Sequence, residues 1–204
     1  HLTSTTGIDA LTHAVEAYLG KSNTKETKKC AEEAIVLIFK YLEKAYNDGQ
    51  NIEAREKMLL ASYYAGIAFT RAYVGNVHAM AHTFGGFYQV PHGLANAVIL
   101  PYVLKYYNNK AVKKLAKLAE LVGIGNPNDL DSQKAEAFIE AIKSMNKRMN
   151  IPDKITIPNL DNLTEMVNRA FHEANPLYPV PMIFNKKDFD DLFKQVIILE
   201  GEKQ

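Results

Sequence analysis

The chain has 204 residues, 47% apolar and 23% charged, enough for one packed domain. Its 24 basic and 23 acidic side chains leave a net charge of +1, which argues against a nucleic-acid or membrane-surface partner. No apolar run approaches the roughly 18 to 20 residues of a membrane span, no secretory signal is visible, and the one cysteine, Cys30, makes no internal disulfide, so a reducing cytoplasm is the expected setting.

The chain opens on His1-Leu2-Thr3 without an initiator methionine, and we read it as a piece of something longer. Thr5 or Thr6 is placed to cap a first helix that carries Asp9, His13 and Glu16. Asp9 and His13 are four apart and share a face of that helix. Gly20-Lys21-Ser22-Asn23 stops it. A long helix follows from about 25 to 48, with Ser22, Asn23 or Thr24 as cap and Ala34, Ile35, Ile38, Leu42 and Ala45 on its apolar face. Glu53 starts a third helix, rich in small residues and apolar nearly all round through Phe69. That pattern predicts a central position.

The stretch from Gly75 to Gly93 holds three of the six histidines, His78, His82 and His92. His78 and His82 are four apart on a helix. Gly85-Gly86 and Pro91 are expected to break that helix and turn the chain back. Leu94 to Tyr107 reads as a buried helix with Pro101 near its middle, and Ala111 to Val122 as an amphipathic helix with Lys113, Lys114 and Lys117 on a solvated face. Gly123 to Pro127 is a loop. Ser132 or Asp131 caps a helix from about 133 to 149, whose inner stripe is Ala137, Phe138, Ala141, Ile142 and Met145. Leu160 to Ala174 and Lys187 to Ile198 are further helices, joined by the proline-rich loop Asn175 to Pro181. A polar tail runs from Gly201. The strand-like runs Val196 to Leu199 and Ala97 to Leu100 fit better inside helical patterns. The predicted class is all-α, one domain over 1–204 with some eight or nine helices.

Asp9, His13, His78, His82 and His92 form the candidate cluster. A carboxylate with several imidazoles suits Fe(II), Zn(II), Ni(II), Mn(II) or Co(II). A DxxxH pair and an HxxxH pair on facing helices can project into one core site. Taken singly, each residue has a plainer reading. Asp9 is then a first-turn acid and His172 a surface histidine. Spacing alone pairs His78 with His82 as ligands. No phosphate loop and no nucleophile elbow occurs. A metal-dependent hydrolase on the same ligands needs a general base, and Glu16 is the best candidate.

Two motifs go further: Thr6-Gly7-Ile8-Asp9-Ala10-Leu11-Thr12-His13-Ala14-Val15-Glu16-Ala17, and Val77-His78-Ala79-Met80-Ala81-His82 through Pro91-His92-Gly93-Leu94-Ala95-Asn96-Ala97. In these the chain resembles the iron-containing (group III) alcohol dehydrogenases, in their C-terminal helical, dehydroquinate synthase-like domain. The resemblance implies that Asp9, His13, His78 and His92 bind a divalent metal, Fe(II) first and Zn(II) as the alternative. It implies that His82 is no ligand but the catalytic residue facing the nicotinamide of NAD or NADP and a small alcohol or aldehyde substrate. Gly85, Gly86 and Phe87 are expected to shape the cleft near His82.

The family's N-terminal nucleotide-binding domain, with its glycine-rich loop, is not in this sequence. The isolated chain is therefore expected to bind metal, to lack turnover, and to present an apolar face that favours a homo-oligomer. Glycerol dehydrogenase-like and dehydroquinate synthase-like enzymes, and a non-catalytic metal-binding module, are the other readings kept open.

Overall fold

The computed structural model describes residues 1–202. The polar tail expected from Gly201 continues past Glu202, outside the described residues. Among those residues the chain forms nine α-helices, one 3-10 turn and a pair of three-residue strands. The all-α expectation holds.

Helix α1 (Leu2–Leu19) lies among α2 (Lys25–Asn47), α3 (Ile52–Ala72) and α5 (His92–Tyr107). Ile8, Leu11, Ala14, Val15 and Ala17 on α1 are fully buried, so its middle turns are covered except on the face that carries Asp9 and His13, which is partly exposed. α4 (Asn76–Tyr88) packs on α5 and on α8 (Leu163–Ala174). α6 (Val112–Leu121) packs on α7 (Asp131–Arg148), and α9 (Lys186–Val196) closes against α8 and α5. α1 and α5 are thus the inner pair, and the histidines are mounted on or beside them.

Local chemistry explains most boundaries. Thr24 and Thr27 form a reciprocal capping box that starts α2. Asn51 caps α3 by accepting from the Ala54 amide at 2.9 Å. Thr5 and Thr6 do not cap α1. They lie inside its first turns, and their hydroxyls donate back to the carbonyls of His1 and Leu2. Asp131 and Ser132 likewise lie inside α7, which the Gln133 side chain caps by accepting from the Leu130 amide.

Pro101 sits within α5 without ending it. Proline has no N–H, so the Ala97 carbonyl loses its helical donor. Asn146 of α7 supplies one from Nδ2 at 2.7 Å, deep in the core. A proline break is thereby repaired by a neighbouring helix.

Four further expectations need correction. Gly85-Gly86 does not break α4, which continues to Tyr88 and ends where Gln89 takes a left-handed conformation, φ 55°. Two glycines weaken a helix by about 1 kcal/mol each, but burial of this one against α5 and α8 outweighs that. α3 is not central all round. Its alanines at 54, 61, 65, 68 and 72 are buried, while Leu59 and Tyr63 face outward at 75% and 63% exposure. Ile197–Leu199 is a strand, β2, paired in parallel with β1 (Ile155–Ile157), Ile155 opposite Ile197. β-Branched residues suit this pairing, and the α8–α9 crossover supplies the connection that parallel strands need. Lys114 is not a solvated residue. Its ammonium donates to the carbonyls of Leu19 and Gly20 at 2.8 and 3.2 Å, at the C-terminal end of α1.

Candidate metal centre

Three helices deliver the histidine site. α1 brings Asp9 and His13, one turn apart on one face. α4 brings His78 from its first turn, and α5 begins at His92. Two glycines let these elements meet. A Cβ on Gly75 would stand 2.7 Å from the Glu16 carboxylate, and one on Gly93 would stand 2.6 Å from the Thr5 carbonyl oxygen.

The inward nitrogens converge on Asp9. Its Oδ1 lies 3.4 Å from His92 Nε2, 3.7 Å from His78 Nε2 and 3.9 Å from His13 Nε2. One donor atom from each of the four residues can be chosen so that all lie within 4.8 Å of one another. His78 is 1% exposed, and its Nε2 has no hydrogen-bond partner among the described residues. His13 Nδ1 is also buried and unpartnered. A buried imidazole nitrogen without a partner is costly unless something fills the place. The donor set, one carboxylate and three imidazoles, fits a first-row divalent metal.

Charge follows the same geometry. Burial, then repulsion from His78, pushes His13 down to about 3. Burial also lowers His92, with Asp9 only partly opposing it. Burial disfavours a charge on His78 as well, but the carboxylates of Asp9 and Glu16 on its two sides outweigh this and lift it to about 9. Burial works against the charge of Asp9, yet His78 and then the other imidazoles hold its carboxyl below the usual range. His13 and His92 are therefore neutral donors at pH 7, and His78 carries a proton that a metal must displace.

Around the donors stands a ring of orienting groups. Glu16 accepts from His78 Nδ1 at 2.6 Å and from the amides of Gly75 and Val77 at 2.8 Å each. Both of its oxygens are thus engaged, so it is not the free general base that a hydrolase would need. Asn96, fully buried, donates from Nδ2 to Asp9 Oδ1 at 2.6 Å and lies 3.0 Å from His92 Nε2. Asn96 was missed as a site residue, although its place one turn after His92 was a usable signal.

His82 stands apart. Its ring stacks on His92 at 5.2 Å between centroids and 16° between planes, and its side chain is 44% exposed. Its Nδ1 donates to Glu173 Oε1 at 2.6 Å. Spacing alone pairs His78 with His82, whereas the close donor group contains His78 and not His82. Glu173 arrives from α8 and carried no signal in the sequence.

His13, His78, His82 and His92 line an open cleft of about 460 Å³, whose other walls include Phe69, Tyr73, Val74 and Tyr178. Phe69 stacks on His13 at 4.1 Å. Tyr73 holds φ 64° and ψ 176° at the end of α3, a backbone region that glycine alone enters freely. Gly85, Gly86 and Phe87 do not line this cleft. They lie a turn further along α4, where Phe87 packs under the Arg169 guanidinium at 4.8 Å. A second cavity of about 410 Å³, between α5, α7 and the strand pair, carries none of the histidines. His172 is exposed and its Nδ1 bonds to the Asn168 carbonyl of its own helix, as a surface residue should.

Comparison with known proteins adds an independent line. The profile of the Fe-containing alcohol dehydrogenase family, C-terminal, matches residues 3–197. A 1,3-propanediol dehydrogenase of Klebsiella pneumoniae is 47% identical over 198 residues, covering 95% of this chain and 50% of that protein. The corresponding enzyme of Citrobacter freundii is 39% identical over 196 residues, with the same coverage. A crystal structure of 1,3-propanediol oxidoreductase superposes with a TM-score of 0.89 at 38% identity, over 96% of this chain and 51% of that one. The chain spans about half the length of the curated relatives it matches.

Proposed function

The chain belongs to the Fe-containing alcohol dehydrogenase family, and we propose that it is the metal-binding helical domain of an NAD(P)-dependent enzyme interconverting small alcohols and aldehydes. In this reading residues 1–204 form the C-terminal domain, completed by a nucleotide-binding half. Asp9, His13, His78 and His92 hold a divalent metal, Fe(II) in the native setting, with Zn(II) able to replace it. When bound, the metal supplies a Lewis acid for the alcohol or carbonyl oxygen, and the nicotinamide supplies the hydride carrier.

The chain's own residues do the rest. Glu16 fixes the tautomer of His78, so that Nε2 presents its lone pair to the site. Asn96 holds the Asp9 carboxylate in place. Phe69, Val74 and Tyr178 give the cleft walls that favour a short, largely apolar substrate body and shed water. His82, beside the donors yet outside their group, is placed to meet substrate and nicotinamide. The relatives named 1,3-propanediol dehydrogenase favour a short alcohol or diol as substrate. Leu2, Ile52, Leu59 and Tyr63 leave apolar surface exposed at the start of α1 and along α3, which supports self-association.

The observation that carries the reading is the unpartnered, buried Nε2 of His78 facing Asp9. Elemental analysis of freshly purified protein tests it. His78→Ala should lose the metal and His82→Ala should keep it. Equal loss in both variants would return His82 to the ligand set.

A further inference from the structure

We propose that Glu173 and Tyr178 are positioning residues for His82, which together set its tautomer and its pose on the cleft wall. The inference rests on the reading of that cleft as an alcohol dehydrogenase site, and it deepens it.

His82 is 44% exposed, against 1% for His78. Unlike His78, it is not enclosed, and its face-to-face contact with His92 leaves rotation in the ring plane undetermined. One oxygen removes that freedom. Glu173 Oε1 lies 2.6 Å from His82 Nδ1 and 2.7 Å from the Tyr178 hydroxyl. Glu173 stands on the last turn of α8, which packs against α4, and Tyr178 follows in the connecting loop. The anchor therefore comes from a rigid element and the clamp from the loop beside it.

The chemistry has one direction. A carboxylate only accepts. The proton between Glu173 and His82 must then reside on Nδ1, and Tyr178 must donate. In the neutral ring Nε2 is then left as the acceptor. An alcohol or ribose hydroxyl reaching this wall finds an acceptor in that neutral ring rather than a second donor. Support comes from charge. Although burial works against it, the bonds from His82 and Tyr178 hold the Glu173 carboxyl below its ordinary range. Burial, then Glu173, raises the Tyr178 phenol, so it keeps its proton. Tyr178 also lines the cleft, which places the clamp within reach of whatever binds there.

Long-range ¹H–¹⁵N NMR of the histidine rings in the metal-free chain tests this, with His82→Ala to assign the signal. The wild-type ring should carry its proton on Nδ1. Glu173→Ala should move the major form to Nε2–H. Glu173→Gln, whose carbonyl still accepts, should retain Nδ1–H. A wild-type His82 protonated on Nε2, or an unchanged tautomer in Glu173→Ala, overturns the proposal. Zn(II) uptake is measured on the same samples. Glu173→Ala should take up Zn(II) as the wild type does. Failure of the wild-type chain to bind Zn(II) would refute the metal-centre reading and leave the tautomer result standing on its own.

Discussion

Glu16 and His78 are joined at 2.6 Å in the buried interior, and the same carboxylate gathers the two amides that open α4. One acid thus sets both the start of a helix and the orientation of a donor nitrogen. Glu16→Gln keeps the volume and removes the charge. Loss of such an outer partner lowers metal affinity by roughly 10- to 100-fold. Titration against metal buffers checks this, and an affinity equal to wild type would mean that Glu16 serves only the helix start.

Metal uptake should release a proton. His78, lifted to about 9, holds one at pH 7, whereas His13 at about 3 and the lowered His92 hold none to give. Between pH 6.5 and 9 the apparent affinity should rise about tenfold per pH unit, then level off. Calorimetry in two buffers of different ionisation enthalpy counts the protons directly.

The metal-free chain should lose stability on both sides of pH 6.5. His78 has a raised folded value, so its contribution is complete below 6.5 and fades as pH rises through 9. His13 has a depressed one, so its contribution is present above 6.5 and fades as pH falls toward 3. Urea unfolding midpoints across this range measure both arms. A midpoint that climbs steadily from pH 6.5 to 9 contradicts the assignment of His78.

Asn146→Ala should cost about 1–3 kcal/mol, because the Ala97 carbonyl is then buried without a donor. Combining it with Pro101→Ala restores a backbone N–H one turn along α5. The double variant should recover most of the loss. A simple sum of two penalties in urea unfolding would show that Asn146 acts by packing instead.

Tyr73→Gly should stabilise the chain. The φ of 64° with ψ of 176° costs a tyrosine on the order of 1–3 kcal/mol, and the side chain is 48% exposed, so little packing is lost. We expect a net gain of about 1 kcal/mol after the greater chain entropy of glycine is counted. A lower thermal midpoint for Tyr73→Gly would mean that the ring's contacts in the cleft exceed the backbone strain.

The spacing of Asp9 with His13 was legible because a helix turns a four-residue interval into a shared face. The long amphipathic α2 was legible for the same reason. Spacing alone did not separate His82 from His78, since sharing a helix face does not say which donor atoms come close, and only the folded chain groups His78 with Asp9, His13 and His92. Glu173 was invisible because it comes from a helix some ninety residues on, at 91 positions' remove. Asn146 was invisible because the demand for it arises from a proline on another helix. β2 was hidden inside an apolar run that suits helix and strand alike, and its partner β1 decides the matter only once α8 and α9 have folded. Local periodicity reports the elements. The side chains that serve a distant need leave no local trace.

Asp9 and Asn96 are 87 positions apart, and Glu16 and His78 are 62 apart. No donor group exists until α1 has docked against α4 and α5. An ion that needs all four donors therefore binds only molecules that have already folded, since α1 alone offers just the Asp9 and His13 pair. Its effect should fall on the rate of unfolding rather than the rate of folding. Metal in excess would then lengthen the lifetime of the native state roughly in proportion to free metal, the free energy growing with its logarithm, while the refolding limb of the chevron stays where it is.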